Sequence, residues 1–273
     1  MLQFHRWLIY FILAHVTNAK SHYCTAKCSM KLHFDDDFQR RPECSERILS
    51  ILCSVQITIQ FNSQQIFIDF RTNGTGHIDD TYSLYAVQQL SHLFVSNYSS
   101  YKIIFDCVFA NDCDWTYAKD IIQRFRNIDY VNIFDPLRTL LYDYSQKTNL
   151  KCYSQNESID CSSGTCSSIV YDDNSMSKRL CINLTNQQHI GIDIRRFRTF
   201  PDSFIQGVNY DLYRCNRNLC NQPNIQTTVK SIIHDYASLW QISNPTQFVL
   251  NLTSRITVSN ILSIIVLLLH FIL

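Results

Sequence analysis

Glycine and proline are scarce, at five residues each in a chain of 273. Turns must therefore rest on Asn, Asp and Ser. Net charge is also small: 24 Lys and Arg stand against 23 Asp and Glu, a formal +1. That excludes bulk electrostatic attraction to nucleic acid as the main theme, and no nucleic-acid partner is expected. The familiar catalytic and metal motifs are absent too. There is no His-Glu-x-x-His helix and no Gly-x-Ser-x-Gly elbow. Asp35, Asp36 and Asp37 lack the alternating oxygen-ligand spacing of a calcium loop and read as a solvated turn facing Arg40 and Arg41. The gaps of three, fifteen and eight residues after Cys24, Cys28 and Cys44 make no paired Cys-x2-Cys zinc knuckle. The Gly-containing stretch Thr72, Asn73, Gly74, Thr75, Gly76 has no following Lys and no helix start, so it reads as a loop rather than a phosphate cradle. No cofactor, metal or catalytic residue is expected from these patterns.

Long apolar runs occur at the two ends. Residues 1–19 read as a secretory signal peptide: Arg6 gives the basic start, WLIYFILAHV the apolar stretch, and Thr17, Asn18 and Ala19 a small-residue cleavage site. The alternative is a retained signal anchor, but ten apolar residues are too few to span a membrane. Residues 261–273 are apolar to the last residue, and counting back to Ile256 gives eighteen residues with no basic cluster after them. A lipid-anchor (GPI-type) attachment signal is the favoured reading. A short single-pass helix, about 27 Å at 1.5 Å per residue, is the alternative.

What is abundant is cysteine. All twelve lie between the apolar ends. Twelve is even, and a secreted chain meets an oxidising compartment, so six disulfides are expected. An even count also leaves no thiol for a Cys–His nucleophile. Glycosylation sequons at Asn73, Asn97, Asn156, Asn183 and Asn251 agree with this route but serve only as surface markers, since several arise by chance.

The pattern divides into a cysteine-rich α+β module over residues 20–147, a second module over 150–224, and a stretch of amphipathic helix and stalk over 225–255. In the first, Cys24, Cys28, Cys44 and Cys53 precede a hairpin in which Val55, Ile57, Ile59 and Phe61 alternate with polar residues, and Ile66, Ile68 and Phe70 repeat the alternation. Residues 83–96 fit strand or helix equally well. Residues 101–109 read as a strand, after which Cys107 and Cys113 bracket a short loop. Trp115, Ala118, Ile122 and Phe125 recur at helical spacing, predicting a helix over 115–126. Asp135 and Pro136 predict the start of another, running to Tyr144. His92 and His234 have apolar neighbours and read as surface or satisfied core residues. Val229, Ile232, Ile233, Tyr236, Leu239 and Trp240 form the stripe of a helix packed on the module.

In the second module Cys152, Cys161, Cys166 and Cys181 lead to Cys215 and Cys220, with Asn221 directly after the last. The Leu-x-Cys-Tyr opening at Leu150 and the Cys-x4-Cys-Asn ending resemble the three-finger family of snake toxins, the urokinase receptor and lymphocyte antigens. The resemblance covers about seventy residues. It implies pairing Cys152 with Cys166, Cys161 with Cys181, and Cys215 with Cys220, and gives Asn221 a structural role tying the two ends of the module together. One family disulfide is missing: its two positions hold Asn183 and Arg214. The third loop is unusually long, and it carries Arg195, Arg196, Phe197, Arg198 and Phe200 as a candidate binding loop. The first module, with the same number of cysteines and a close pair followed by Asp114, is a candidate diverged sibling.

The expected fold is disulfide-rich and mainly β with a few helices. The resemblance implies an extracellular, membrane-anchored binding, adhesion or receptor-type protein with an extracellular protein ligand. The alternative is a secreted or surface hydrolase whose site the sequence does not reveal.

Overall fold

The computed structural model describes residues 21–71, 84–108, 110–145, 149–154, 156–162, 164–171, 177–182, 189–200 and 209–235. The two apolar ends, Asn73, Asn183, Asn251 and the helical stripe beyond residue 235 lie outside them.

The chain is mainly antiparallel β with three described α-helices. The first half contains β1 (His22–Thr25), β2 (Cys28–His33), β3 (Arg47–Ser50), β4 (Cys53–Gln60), β5 (Gln65–Arg71), β6 (Leu84–Leu93) and β7 (Tyr98–Cys107), followed by α1 (Cys113–Phe125) and α2 (Tyr130–Leu141). The second half contains β8 (Leu150–Ser154), β9 (Glu157–Cys161), β10 (Thr165–Tyr171), β11 (Ser177–Ile182), β12 (Gly191–Phe200) and β13 (Tyr210–Cys215), followed by α3 (Pro223–Asp235).

Nine strands form one sheet in the order β11-β10-β13-β12-β6-β7-β4-β5-β2, while β1 pairs with β3 and β8 with β9. The order repeats about its centre. From the β12–β6 seam outward, β12, β13, β10 and β11 match β6, β7, β4 and β5. Cysteines mark the same correspondence: Cys53 lies opposite Cys107, and Cys166 opposite Cys215. Cys24–Cys53 corresponds to Cys152–Cys166, and Cys107–Cys113 to Cys215–Cys220. The two cysteine modules are thus two copies of one plan, joined edge to edge through an antiparallel pairing of equivalent strands. A two-fold relation passes through the pair Gln89 and Arg195 at the seam.

Alternation decides which face of the sheet is buried. Val55, Ile57 and Ile59 on β4, Ile66, Ile68 and Phe70 on β5, and Tyr101, Ile103 and Phe105 on β7 all point into the core. Ile121, Ile122 and Phe125 of α1 and Ile133, Phe134 and Leu137 of α2 cover them. Each such side chain contributes about 1.5–3 kcal/mol by leaving water. Aromatic pairs set the spacing between layers: Phe105 stacks on Tyr117 at 3.6 Å between centroids, and Tyr101 meets Phe125 at 4.5 Å.

Residues 84–93, ambiguous in sequence, are strand, because β6 is bordered by β7 on one side and β12 on the other. The second helix starts earlier than the Asp135-Pro136 signal predicts. Asp129 caps it, its carboxylate accepting the amides of Val131 and Asn132, and Pro136 sits inside the helix.

Candidate functional site

All six disulfides expected from the even count are formed, and no described cysteine is free. In the second module the bridges are Cys152–Cys166, Cys161–Cys181 and Cys215–Cys220, the pairing the resemblance implies. The first module shares two of them in position but differs in the third. Cys28–Cys44 nests inside Cys24–Cys53, whereas in the second module the first two bridges interlock.

Asn221 is fully buried beside this knot. Its Oδ1 accepts the Tyr153 amide at 2.7 Å, and its Nδ2 donates to the carbonyls of Tyr153 at 2.8 Å and Ser167 at 3.1 Å. One side chain therefore ties the end of the module to its opening strand and to β10. Asp114, at the matching place after Cys113, is equally buried and accepts the Thr25 amide at 3.0 Å and its neighbour Trp115's amide at 2.8 Å. Burial pushes its carboxyl up to about 6, against the opposing pull of those two amides. The cue was present in sequence as an acidic residue directly after a close cysteine pair.

The Arg195 to Phe200 run, expected on a loop, is the central strand β12. Ile192 and Ile194 point inward, so Arg196 does as well. The inward Arg196 guanidinium donates to Asp211 Oδ1 at 2.6 Å and to the carbonyls of Tyr210 and Arg195 at 3.1 and 3.0 Å. The pair is nearly enclosed, with side chains 11 % and 9 % exposed. Arg195 faces the other way. It lies 4.6 Å over the Phe197 ring and hydrogen-bonds the Tyr210 side chain. Gln89, opposite Arg195 in register, donates to Asp193 at 3.0 Å. The side chains of Arg198 and Phe200 lie outside the described residues.

Gly191 opens β12 at the seam. A Cβ there would sit 2.0 Å from the His92 carbonyl oxygen, so no larger residue fits without moving backbone. His92 is a core residue. It stacks on Phe134 at 4.0 Å and contacts the Ser99 hydroxyl, and burial, aided by nearby Arg138, lowers its pKa to about 3. His234 is exposed on α3. Asn97 and Asn156 occupy exposed hairpin turns with φ of 50° and 77°, and the Asn97 side-chain oxygen accepts from Arg138.

Among the described residues, the groups close enough to share a metal ion are Cys53, Cys107 and Cys113, and Cys152, Cys161 and Cys181. Every one of these sulfurs is in a disulfide, so none offers a thiolate ligand. A small apolar cavity lies between sheet and helices, lined by Phe61, Leu90, Tyr101, Phe125, Tyr130 and Phe134 among others. It has no polar group convergent enough to orient a substrate. No described helix is long and apolar enough to cross a membrane. Comparison with protein-family models and with curated protein sequences found no match to this chain.

Proposed function

We propose that the chain is an extracellular binding protein of adhesion or receptor type, built from two three-finger-like modules and held at the cell surface by its C-terminal apolar segment, with a lipid anchor as the favoured form. The observation that carries this reading is the pairing of all twelve cysteines into six bridges. Such a framework persists in oxidising compartments and gives small modules a rigid base. In support, the second module sends out three antiparallel pairs, β8–β9, β10–β11 and β12–β13, from one knot closed by Asn221. Binding then falls to residues on the outer sheet face and hairpin tips, which can vary without disturbing the knots.

Surface biotinylation of expressing cells, followed by phosphatidylinositol-specific phospholipase, tests the proposal. Labelled protein released into the medium is the expected result. A protein that never acquires the label, or that partitions with cytosol in reduced form, would overturn it. Retention of an intact Leu273 terminus in the membrane after phospholipase would replace the lipid anchor by a spanning helix.

A further inference from the structure

One residue in two on each strand of the nine-stranded sheet points away from the helices. On this face, among the described residues, stand Lys31, Arg71, Lys102, Lys178, Arg195 and Arg214, against three carboxylates, Asp69, Asp106 and Asp193, with Lys31 and Lys102 exposed. Those carboxylates are already engaged or enclosed. Asp69 is taken by Arg71 at 2.7 Å and Ser29 at 2.9 Å, Asp193 by Gln89 and Ser91, and Asp106 is fully buried. Among the described residues, no carboxylate lies within ion-pair distance of Lys31, Lys102 or Arg195. Among the described residues, this side of the sheet thus carries more cations than carboxylates.

These three cations also lie in line. The register sets Lys31 beside Phe67, Phe67 beside Thr58, and Thr58 beside Lys102. It continues from Lys102 to Gln89, Arg195, Tyr210 and Tyr171. The row crosses eight strands, about 34 Å at about 4.8 Å per strand. Cations alternate along it with rings and neutral hydrogen-bonding groups. The Lys31 amine sits 5.4 Å over the Phe67 ring, and Arg195 is braced by Phe197 and Tyr210. The row exists only because the two modules share a sheet, since β6 and β12 contribute its middle.

We propose that this row is the binding site for a linear sulfated polysaccharide laid across the strands. The inference rests on the extracellular reading above and gives it a ligand class. A sulfated chain supplies regularly spaced negative charge and needs no pocket. Its sugar rings offer C–H faces to Phe67, Tyr210 and Tyr171, and its hydroxyls and sulfates can bond Thr58 and Gln89. The three in-line cations are spread about 10 to 14 Å apart along an extended row with no pocket, which suits a stiff chain carrying repeated negative groups along its length.

The test uses the full chain purified from secreting cells, with immobilised heparin as the sulfated probe and polyglutamate as the acidic-polypeptide probe. Heparin binding near physiological salt is expected. Lys31→Gln, Lys102→Gln and Arg195→Gln together should weaken it by about 10- to 100-fold. The slope of log affinity against log salt should also fall by roughly two to three. Lys31→Gln with Lys102→Gln, both at exposed lysines, gives a partial loss in the same direction even if the Arg195 change disturbs β12. Lys27→Gln, Lys119→Gln and Lys151→Gln, an equal charge change off this face, should leave binding intact. Absence of heparin binding, equal loss in the off-face variant, or equally tight binding to polyglutamate would overturn the proposal. Surface labelling of the same cells separates the two readings: a labelled protein that ignores heparin defeats this inference alone.

Discussion

Asp114 holds the Thr25 amide from the position at which Asn221 holds the Tyr153 amide in the other module. Both follow the second cysteine of a close pair, and both reach the residue after a module's first cysteine. The two solve the same problem with different chemistry. An amide can accept from one backbone group and donate to two others, as Asn221 does. An ionised carboxylate can only accept.

That difference predicts a pH effect. The folded Asp114 carboxyl titrates at about 6, above its ordinary 3.8, chiefly because it is buried. The charged group facing it, Asp112, also raises it, although Arg40 and Arg47 hold Asp112 at 3.1 and 2.9 Å. A raised acid pKa means the folded state keeps the proton more tightly. The associated stability is present below pH 3.8 and is lost as pH rises through about 6. Asp114→Asn is neutral throughout, but its amide nitrogen must face one of the two N–H groups the carboxylate accepts. It should therefore be less stable than the wild type near pH 4, and this deficit should shrink by about 2–3 kcal/mol toward pH 7. Thermal unfolding of both proteins across that range checks this, and a gap that does not change with pH would refute it.

Asn221 predicts the converse. Asn221→Ala strands two carbonyls and an amide in a closed space, and it should cost about 1–3 kcal/mol. Asn221→Asp should cost more at pH 7 than at pH 4, because the anion faces the carbonyls of Tyr153 and Ser167. Denaturant melts at the two pH values separate these outcomes from a generic loss of packing, which would not respond to pH.

Much of this framework was legible in the chain. The β4–β5 hairpin followed from strict alternation and α1 from its apolar stripe, because these signals are local. The nature of β6 and β12 was not legible. β6 mixes buried Gln88 and His92 with Leu90, which blurs the period, and β12 buries an arginine. Each also pairs with the other across the seam, about a hundred residues away, and no local pattern records that pairing. The acceptor of Arg196, Asp211, was equally out of reach, since it depends on the register between β12 and β13. The start of α2 was misplaced because Pro136 resembles a first-turn proline, while the true cap, Asp129, stands before Tyr130 and Val131.

Gly191 provides a test of the seam itself. A side chain at this position meets the His92 carbonyl, a backbone atom that cannot swing aside. Gly191→Val should therefore lift the first residues of β12 from β6 and cost about 2 kcal/mol or more. Hydrogen exchange should show faster loss of protection in β6 and β12 than in β4 and β5, which lie farther from the seam. Uniform loss across all four strands would mean that the modules do not open at the seam first.

The Arg196–Asp211 pair tests whether the buried charge at the seam is itself stabilising. At 2.6 Å and nearly enclosed, its attraction is strong, but both ions have lost most of their water. Asp211→Ala removes the carboxylate from a nearly enclosed guanidinium and should cost about 3–5 kcal/mol. Arg196→Met combined with Asp211→Leu removes both charges while keeping volume between Gln88, Ile194 and Val170. The combined variant should be more stable than Asp211→Ala alone, and close to the wild type, because no charge is left without its partner. Equilibrium unfolding of the two variants in denaturant decides the matter. If the double variant is as unstable as Asp211→Ala, the ion pair contributes through its specific bonds to the β12 and β13 backbone rather than through avoidance of an unpaired charge.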